Sequence, residues 1–310
     1  MAVLLNNNGY GNQAWMEELP RLLPNDLPIY EYPDIPDKED ITYALVWDHP
    51  KGDLATYPNL KAVLSLGAGV EHLAEDNSLP DNLPIIRLVD PAVADDMAMH
   101  SLYWCMNFHR HYHIYQEQQI KKHWERYPCK PAEDFKVGIL GLGNIGSVVG
   151  QKVGQNGYQT LGWDLSRKTI QDIETYHGLD QLTDFLENLD VLVNCLPLTS
   201  DTTNMIDGNF LSKMKQGSFL INISRGAIIK DQDLLSKLDE GHIAAAALDA
   251  FIEEPLPNDN PFWSHPKVHV TPHMSGATYA RSAAKVLVNN INRLEKGKAA
   301  FPLYDRQKGF

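Results

Sequence analysis

Cysteine is scarce in this chain: three residues in 310, Cys105, Cys129 and Cys195, with no C-x-x-C spacing. That usage excludes a disulfide framework and points to a reducing, cytoplasmic setting. Long apolar runs are also missing. No uncharged stretch approaches the roughly 20 residues needed to span a bilayer. The start, MAVLLNNNGYG, has no basic region and reads as a first strand, not a secretion signal. Positive charge is in deficit, with 27 Lys and Arg against 40 Asp and Glu and a formal charge of -13. A chain this acidic has no overall field for nucleic acid or an anionic membrane, so an anionic ligand must be held by a local device. Internal repeats and low-complexity tracts are absent as well.

What is present is an ordinary globular composition, 43% hydrophobic and 22% charged, long enough for two domains. Short apolar runs at Ala2 to Asn6, Thr42 to Trp47, Lys61 to Leu66 and Ile85 to Leu88 read as strands. The breaker-poor stretch Val93 to Lys122 predicts one long helix leaving the first domain, and Tyr127-Pro-Cys-Lys-Pro predicts a linker. From Phe135 six strands are expected, at 136–140, 160–163, 191–195, 219–223, 244–248 and 267–271. Helical patterns at 144–157, 179–189 and 231–240 lie between them, and this alternation predicts a doubly wound parallel α/β sheet. A last helical segment, Thr278 to Lys296, returns to the first domain.

Directly after the first of the six strands comes Gly141-Leu142-Gly143-Asn144-Ile145-Gly146, opening a helix. Glycines there permit a tight turn and let backbone N–H groups reach a pyrophosphate at a helix N-terminus. Alone the pattern is a weak signal. Its context is stronger, because Asp164 ends the next strand, where a carboxylate accepts hydrogen bonds from a ribose. Ligands of open α/β sheets bind beyond the carboxyl ends of the strands. All six strands end in candidates: the glycine loop, Asp164, Leu196-Pro197, Ser224-Arg225, Asp249, and Pro272-His273. The planar fork of Arg225 suits a carboxylate. Taken singly, Arg225 reads as a salt bridge, His273 as a loop histidine and Glu254 as a solvated acid in a proline-bounded turn.

Together these pieces resemble the D-isomer-specific 2-hydroxyacid dehydrogenases over nearly the whole chain. The most specific parts are the glycine loop, Asn222-Ile-Ser-Arg225-Gly226, Leu248-Asp249-Ala-Phe with Glu253-Glu254-Pro-Leu-Pro, and Thr271-Pro-His273. The resemblance implies two doubly wound parallel-sheet domains, a Rossmann dinucleotide-binding domain inserted into a flavodoxin-like substrate domain. The substrate domain would cover 1–97 and 278–310, and the dinucleotide domain 98–277. It implies a homodimer and a catalytic set of Arg225, Glu254 and His273, with Glu253 in the wrong register. Within the family the chain is most like a glyoxylate/hydroxypyruvate reductase A subgroup, on Leu66 to Val70, Ala44 to Trp47, Trp163 to Lys168 and the His123-Trp124 pair. That likeness implies that amides of Ala68, Gly69 and Val70 cradle a substrate carboxylate and that Trp47 borders the pocket.

The expected activity is NAD(P)H-dependent reduction of small 2-keto acids to 2-hydroxy acids, with His273 as proton donor and Asp249 at the nicotinamide carboxamide. The expected cofactor is NAD or NADP. Asp164 favours NADH narrowly, while Ser166, Arg167 and Lys168 form a plausible 2′-phosphate cradle. A regulatory protein that senses NADH is the alternative outside the enzymes. A 3-phosphoglycerate dehydrogenase is a weaker one, because no extension follows the returning helix and no added basic cluster is evident. His109-Arg-His111-Tyr-His113 looks metal-like, but i, i+2, i+4 spacing splays side chains around a helix; helix surface is expected and no metal. The cysteines are expected in the core.

Overall fold

A computed structural model describes residues 1–306. The chain divides into two compact units, residues 1–93 with 278–306 and residues 94–277. The first ends at Val93, against the boundary at 97 read from the sequence.

The first unit contains β1 (Ala2–Asn6), α1 (Asn12–Leu22), β2 (Ile29–Glu31), β3 (Ile41–Val46), β4 (Ala62–Ser65), α2 (Glu71–Ala74) and β5 (Ile85–Ile86). The pairings between these strands are parallel, in the order β2-β1-β3-β4-β5, the flavodoxin-like arrangement. β1, β3 and β4 are buried on both faces, which is why they read as unbroken apolar runs. β2 escapes the sequence reading because it is a three-residue edge strand beside proline-rich turns.

The second unit begins with α3 (Pro91–His109), which the chain enters from the first, and α4 (Tyr112–Lys121). The expected single helix over 93–122 is thus two. His111 takes a left-handed conformation, φ 60°, and breaks it without glycine or proline. Then come β6 (Lys136–Leu140), α5 (Asn144–Gln155), β7 (Gln159–Asp164), β8 (Glu174–His177), α6 (Leu182–Leu186) and β9 (Val191–Asn194). α7 (Gly208–Lys213), β10 (Ser218–Asn222), α8 (Asp231–Asp239), β11 (Ile243–Leu248) and β12 (Val268–Val270) complete it. The seven parallel strands run β12-β11-β10-β9-β6-β7-β8. The order reverses between β6 and β9, the switch point where open sheets bind ligands. Register aligns Leu140 with Trp163 and Asn194, Asn194 with Asn222, Asn222 with Leu248, and Leu248 with Val270. The carboxyl ends therefore form one rim.

The chain returns to the first unit in α9 (Ala280–Glu295). Its buried residues Ala280, Ala283, Ala284, Leu287, Val288 and Ile291 form one stripe at helical spacing and share a core with Trp15 and Leu19 of α1.

The histidine run is not helix surface, and the helix break is the reason. His109 is buried, with Nε2 2.8 Å from the Lys130 carbonyl and Nδ1 3.2 Å from the Tyr158 hydroxyl. His113 packs edge-on against Phe108 and Phe219, and its burial pushes it down to about 4. Among the described residues no group of histidine, cysteine or acidic side chains could hold a metal. Cys105 is buried, Cys195 is partly so, and Cys129 is exposed, contrary to the expectation of a core residue. Cys129 lies on the proline-flanked segment that packs back onto His109, its thiol donating to the His109 carbonyl at 3.1 Å.

Candidate active site

The rim of the second sheet is tied together by buried amides. Asn222, at the end of β10 and fully buried, donates to the Arg225 carbonyl at 3.2 Å. Its oxygen accepts from Asn194 Nδ2 at 3.0 Å and from the Ser224 N–H at 3.2 Å. A buried amide left without partners is costly, so this pairing fixes both strand ends and the turn that presents Arg225. Asn194 carried no motif signal. A lone asparagine closing an apolar strand was its only clue. Ser224 donates its hydroxyl to the Leu196 carbonyl, which joins two segments read as cofactor-binding.

Gly226 lets the turns that carry Arg225 and Glu254 close on each other. A Cβ there would lie 2.1 Å from the Phe251 carbonyl carbon and 2.4 Å from the Ile252 nitrogen. The turn after β11 can therefore press directly on the turn after β10. Glu254 accepts from the Phe251 N–H at 2.8 Å with one oxygen, and its other lies 2.7 Å from Nδ1 of His273. Both side chains remain partly exposed, 35% and 44%. His273 sits at φ 48°, an uncommon conformation for a non-glycine residue and frequent at functional sites. Asp249 holds the chain on either side. Its buried carboxylate accepts from Thr271 Oγ1 at 2.6 Å and from the N–H groups of Met274 and Ser275 at 2.9 and 2.8 Å. Read from the sequence as a nicotinamide contact, Asp249 here spends its bonds on the loop that carries His273.

The hydrogen bond that His273 donates to Glu254 raises the pKa of His273 above the ordinary histidine value, more than burial lowers it. Burial tends to raise the Glu254 carboxyl, but bonds from His273 and Phe251, with His273 and Arg225 charge nearby, hold it below the usual range. The pair therefore favours a proton on the imidazole and a negative charge on the carboxylate. In Glu254→Gln the imidazolium loses its anionic partner, so the His273 pKa falls. Its protonated form then disappears at lower pH. The limb on which kcat/KM for keto-acid reduction declines with rising pH should move to lower pH. A pH–rate profile superimposable on wild type would show that Glu254 does not act on the proton donor.

The glycine loop follows β6. A Cβ on Gly146 would fall 1.8 Å from the Gly141 carbonyl oxygen, so glycine lets helix and turn close on each other, whereas nothing lies within 4 Å of a Cβ at Gly143. α5 starts there without a side-chain cap, and Asn144 and Ile145 form its first turn. An open, uncapped helix start fits the pyrophosphate of a dinucleotide. Asp164 ends β7, accepting from the Leu142 N–H at 3.1 Å through one oxygen and from the Ser166 N–H and hydroxyl at 3.0 and 2.9 Å through the other. Arg167 is exposed and Lys168 half-buried. Of the strand-end residues, Pro197 is exposed, and its carbonyl accepts from Thr202 at 2.6 Å.

In the first unit, Ser65 donates its buried hydroxyl toward the carbonyls of Gly67 and Gly69, at 2.8 and 3.0 Å. No hydrogen bond among the described residues uses the N–H of Ala68, Gly69 or Val70. Turning the carbonyls toward Ser65 leaves three amides free for an anion. Trp47, at the end of β3, is half-buried beside this loop.

The family model for the D-isomer specific 2-hydroxyacid dehydrogenase, NAD binding domain, matches residues 102–275. The chain belongs to this family. A glyoxylate/hydroxypyruvate reductase A of Photorhabdus laumondii subsp. laumondii is 34% identical over 315 residues, covering 100% of both chains. Another, of Enterobacter sp. (strain 638), is 36% identical over 279 residues, 88% of this chain and 89% of that protein. Among solved structures, a D-isomer specific 2-hydroxyacid dehydrogenase from Xanthobacter autotrophicus Py2, in complex with NADPH and MES, has a TM-score of 0.95 at 33% identity, covering 100% of this chain and 99% of that one. The NADPH-dependent glyoxylate/hydroxypyruvate reductase of Sinorhizobium meliloti, in complex with NADP and sulfate, has a TM-score of 0.93 at 29% identity, with coverage of 100% and 99%. The D-2-hydroxyacid dehydrogenase fold and the nicotinamide-dependent chemistry expected from the sequence are those of this family.

Proposed function

We propose that this 2-hydroxyacid dehydrogenase reduces glyoxylate and hydroxypyruvate to the 2-hydroxy acids, with Arg225, Glu254 and His273 as its catalytic set. The observation that carries the reading is the 2.7 Å contact between Glu254 and Nδ1 of His273, formed beside Arg225. With Nδ1 committed to Glu254, Nε2 is the nitrogen that delivers a proton. The glycine loop and Asp164 would hold a nicotinamide dinucleotide, which would supply the hydride for the carbonyl carbon. Arg225 grips the keto acid by its carboxylate. His273 gives its Nε2 proton to the carbonyl oxygen as negative charge builds there, and Glu254 stabilises the imidazolium beforehand. Asp249 keeps the His273 loop in place.

The relatives' names and whole-length coverage support an enzyme over an NADH-sensing regulator or a 3-phosphoglycerate dehydrogenase. A steady-state panel of glyoxylate, hydroxypyruvate, pyruvate and phenylpyruvate with NADH and NADPH tests this. Turnover of the two short substrates supports the proposal, and its absence with both nucleotides sinks it.

For the nucleotide, Asp164 favours NADH by charge, and Ser166 spends its hydroxyl and N–H on Asp164 rather than on a 2′-phosphate. Arg167 retains some NADPH use. Asp164→Ser should move the kcat/KM ratio toward NADPH, and Arg167→Ala should mainly weaken NADPH. A wild-type preference for NADPH above about tenfold, equivalent to about 1.4 kcal/mol, would mean that the basic side chains outweigh the carboxylate.

Two further proposals concern its setting. Met99, Tyr103 and Met106 form an exposed apolar stripe on α3, which supports a homodimer, testable by light scattering. Three free thiols support a reducing, cytoplasmic location. Among the described residues no helix is long and apolar enough to cross a membrane.

A further inference from the structure

Trp47 is seated by residues that the reaction itself does not use. Its six-membered ring lies on the backbone of Gly67: a Cβ there would fall 2.3 Å from Cζ3 and 2.6 Å from Cε3 of the indole. Gly67 is not in the left-handed region, so other residues could adopt its backbone conformation. What the position lacks is room. His72 of α2 makes a second contact, with ring centroids 4.7 Å apart and planes inclined at 57°. Behind it stands His49, its ring 5.9 Å from that of His72 and wholly buried. His49 Nε2 is 3.0 Å from Asp76 Oδ2, and Asp76 is held in turn by Ser78 and by the Gly52 N–H.

Burial, with His49 beside it, pushes His72 down to about 4, so near neutrality it packs on the indole as an uncharged ring. Bonds from Ser78, His49 and Gly52 outweigh burial at Asp76 and hold it at about 2. The anchor of the row is therefore charged throughout the working range. A glycine surface, an aromatic ring and a buried, hydrogen-bonded anchor together leave the indole little freedom to swing.

We propose that Gly67 and His72 are positioning residues for Trp47, and that the indole they seat limits the side chain of the 2-keto acid. The proposal rests on reading the amides of Ala68, Gly69 and Val70 as the carboxylate cradle. An indole lying on residue 67 then borders the substituent at C2 of a substrate held by the next three residues. A hydrogen or a hydroxymethyl group fits such a site; a branched or aromatic group does not.

The test is the ratio of kcat/KM for phenylpyruvate to that for glyoxylate, in the full-length enzyme with saturating nucleotide. Gly67→Ala should force the indole aside and raise the ratio by about tenfold or more, the scale of a pocket gaining room for extra carbon atoms, mainly through a lower KM for phenylpyruvate. In a Trp47→Ala background the same change should add nothing, because its effect runs through the ring. His72→Ala should also raise the ratio. His72→Phe, which keeps a flat ring against the indole, should restore it. An unchanged ratio in Gly67→Ala with wild-type thermal unfolding overturns the proposal. So does a shift that persists without Trp47, since that places the effect in the loop backbone. If Gly67→Ala does not fold, the two His72 variants decide, and equal ratios in both overturn it. Wild-type enzyme inactive on glyoxylate would instead refute the proposed function. An active wild type with unmoved ratios refutes only the positioning role.

Discussion

Arg225→Lys is expected to lower kcat/KM for glyoxylate by about one to two orders of magnitude without changing thermal unfolding. A charge-assisted hydrogen bond is worth about 1.5–3 kcal/mol, and a lysine cannot reproduce a two-point grip. The positive charge survives in the variant, so a loss of this size isolates geometry from charge. The guanidinium is already oriented, because Nη1 donates to the Ser224 carbonyl at 2.9 Å and Asn222 holds the Arg225 carbonyl. A flexible ammonium inherits neither the plane nor the second donor direction. The part of the grip made equally in ground and transition states should appear as a higher KM, and the part made only in the transition state as a lower kcat. Steady-state kinetics reading near wild type would remove Arg225 from the catalytic set.

The second large effect belongs to His273. His273→Ala should cost about 10²–10⁴-fold in kcat, the usual contribution of a general acid. Nucleotide affinity should persist, because the glycine loop and Asp164 are built by other strands. Alanine at φ 48° is itself strained, so the loop needs a control. Asparagine tolerates that conformation and cannot supply a proton of the right acidity. His273→Asn should therefore lose kcat as alanine does while keeping the loop that Asp249 clamps. Near wild-type kcat in the asparagine variant would show that the backbone, not the imidazole, matters at this position. Single-turnover rates with bound nucleotide separate the chemical step from product release.

Much of the architecture was legible because parallel strands buried on both faces are short, apolar and bounded by turns. β6 and β1 appear at the limits expected for them, and the glycine loop opens α5 where the motif places it. β8, with alternating polar residues at a sheet edge, carries too weak a pattern to be read. The break at His111 had no glycine or proline to announce it. Packing decides it, since His109 is drawn inward to the Lys130 carbonyl and Tyr158.

For the site, residue identity at strand ends pointed to Arg225, Asp164 and His273, because in such a sheet every carboxyl end lies on the same rim. The bond between Glu254 and His273 joins residues 19 positions apart. The closeness of the Arg225 turn to the Glu254 turn depends on Gly226 having no side chain where Phe251 and Ile252 cross it. By itself the sequence determined the strands other than the edge strands β2 and β8, the rim they share and the chemical groups set there, since these follow from local pattern and topology. Only the tertiary structure decided that Asp249 holds a loop, that Asn194 pairs with Asn222, and that His72 and Gly67 seat Trp47. Those roles depend on distances between segments remote in the chain, and such distances exist only once the core has packed.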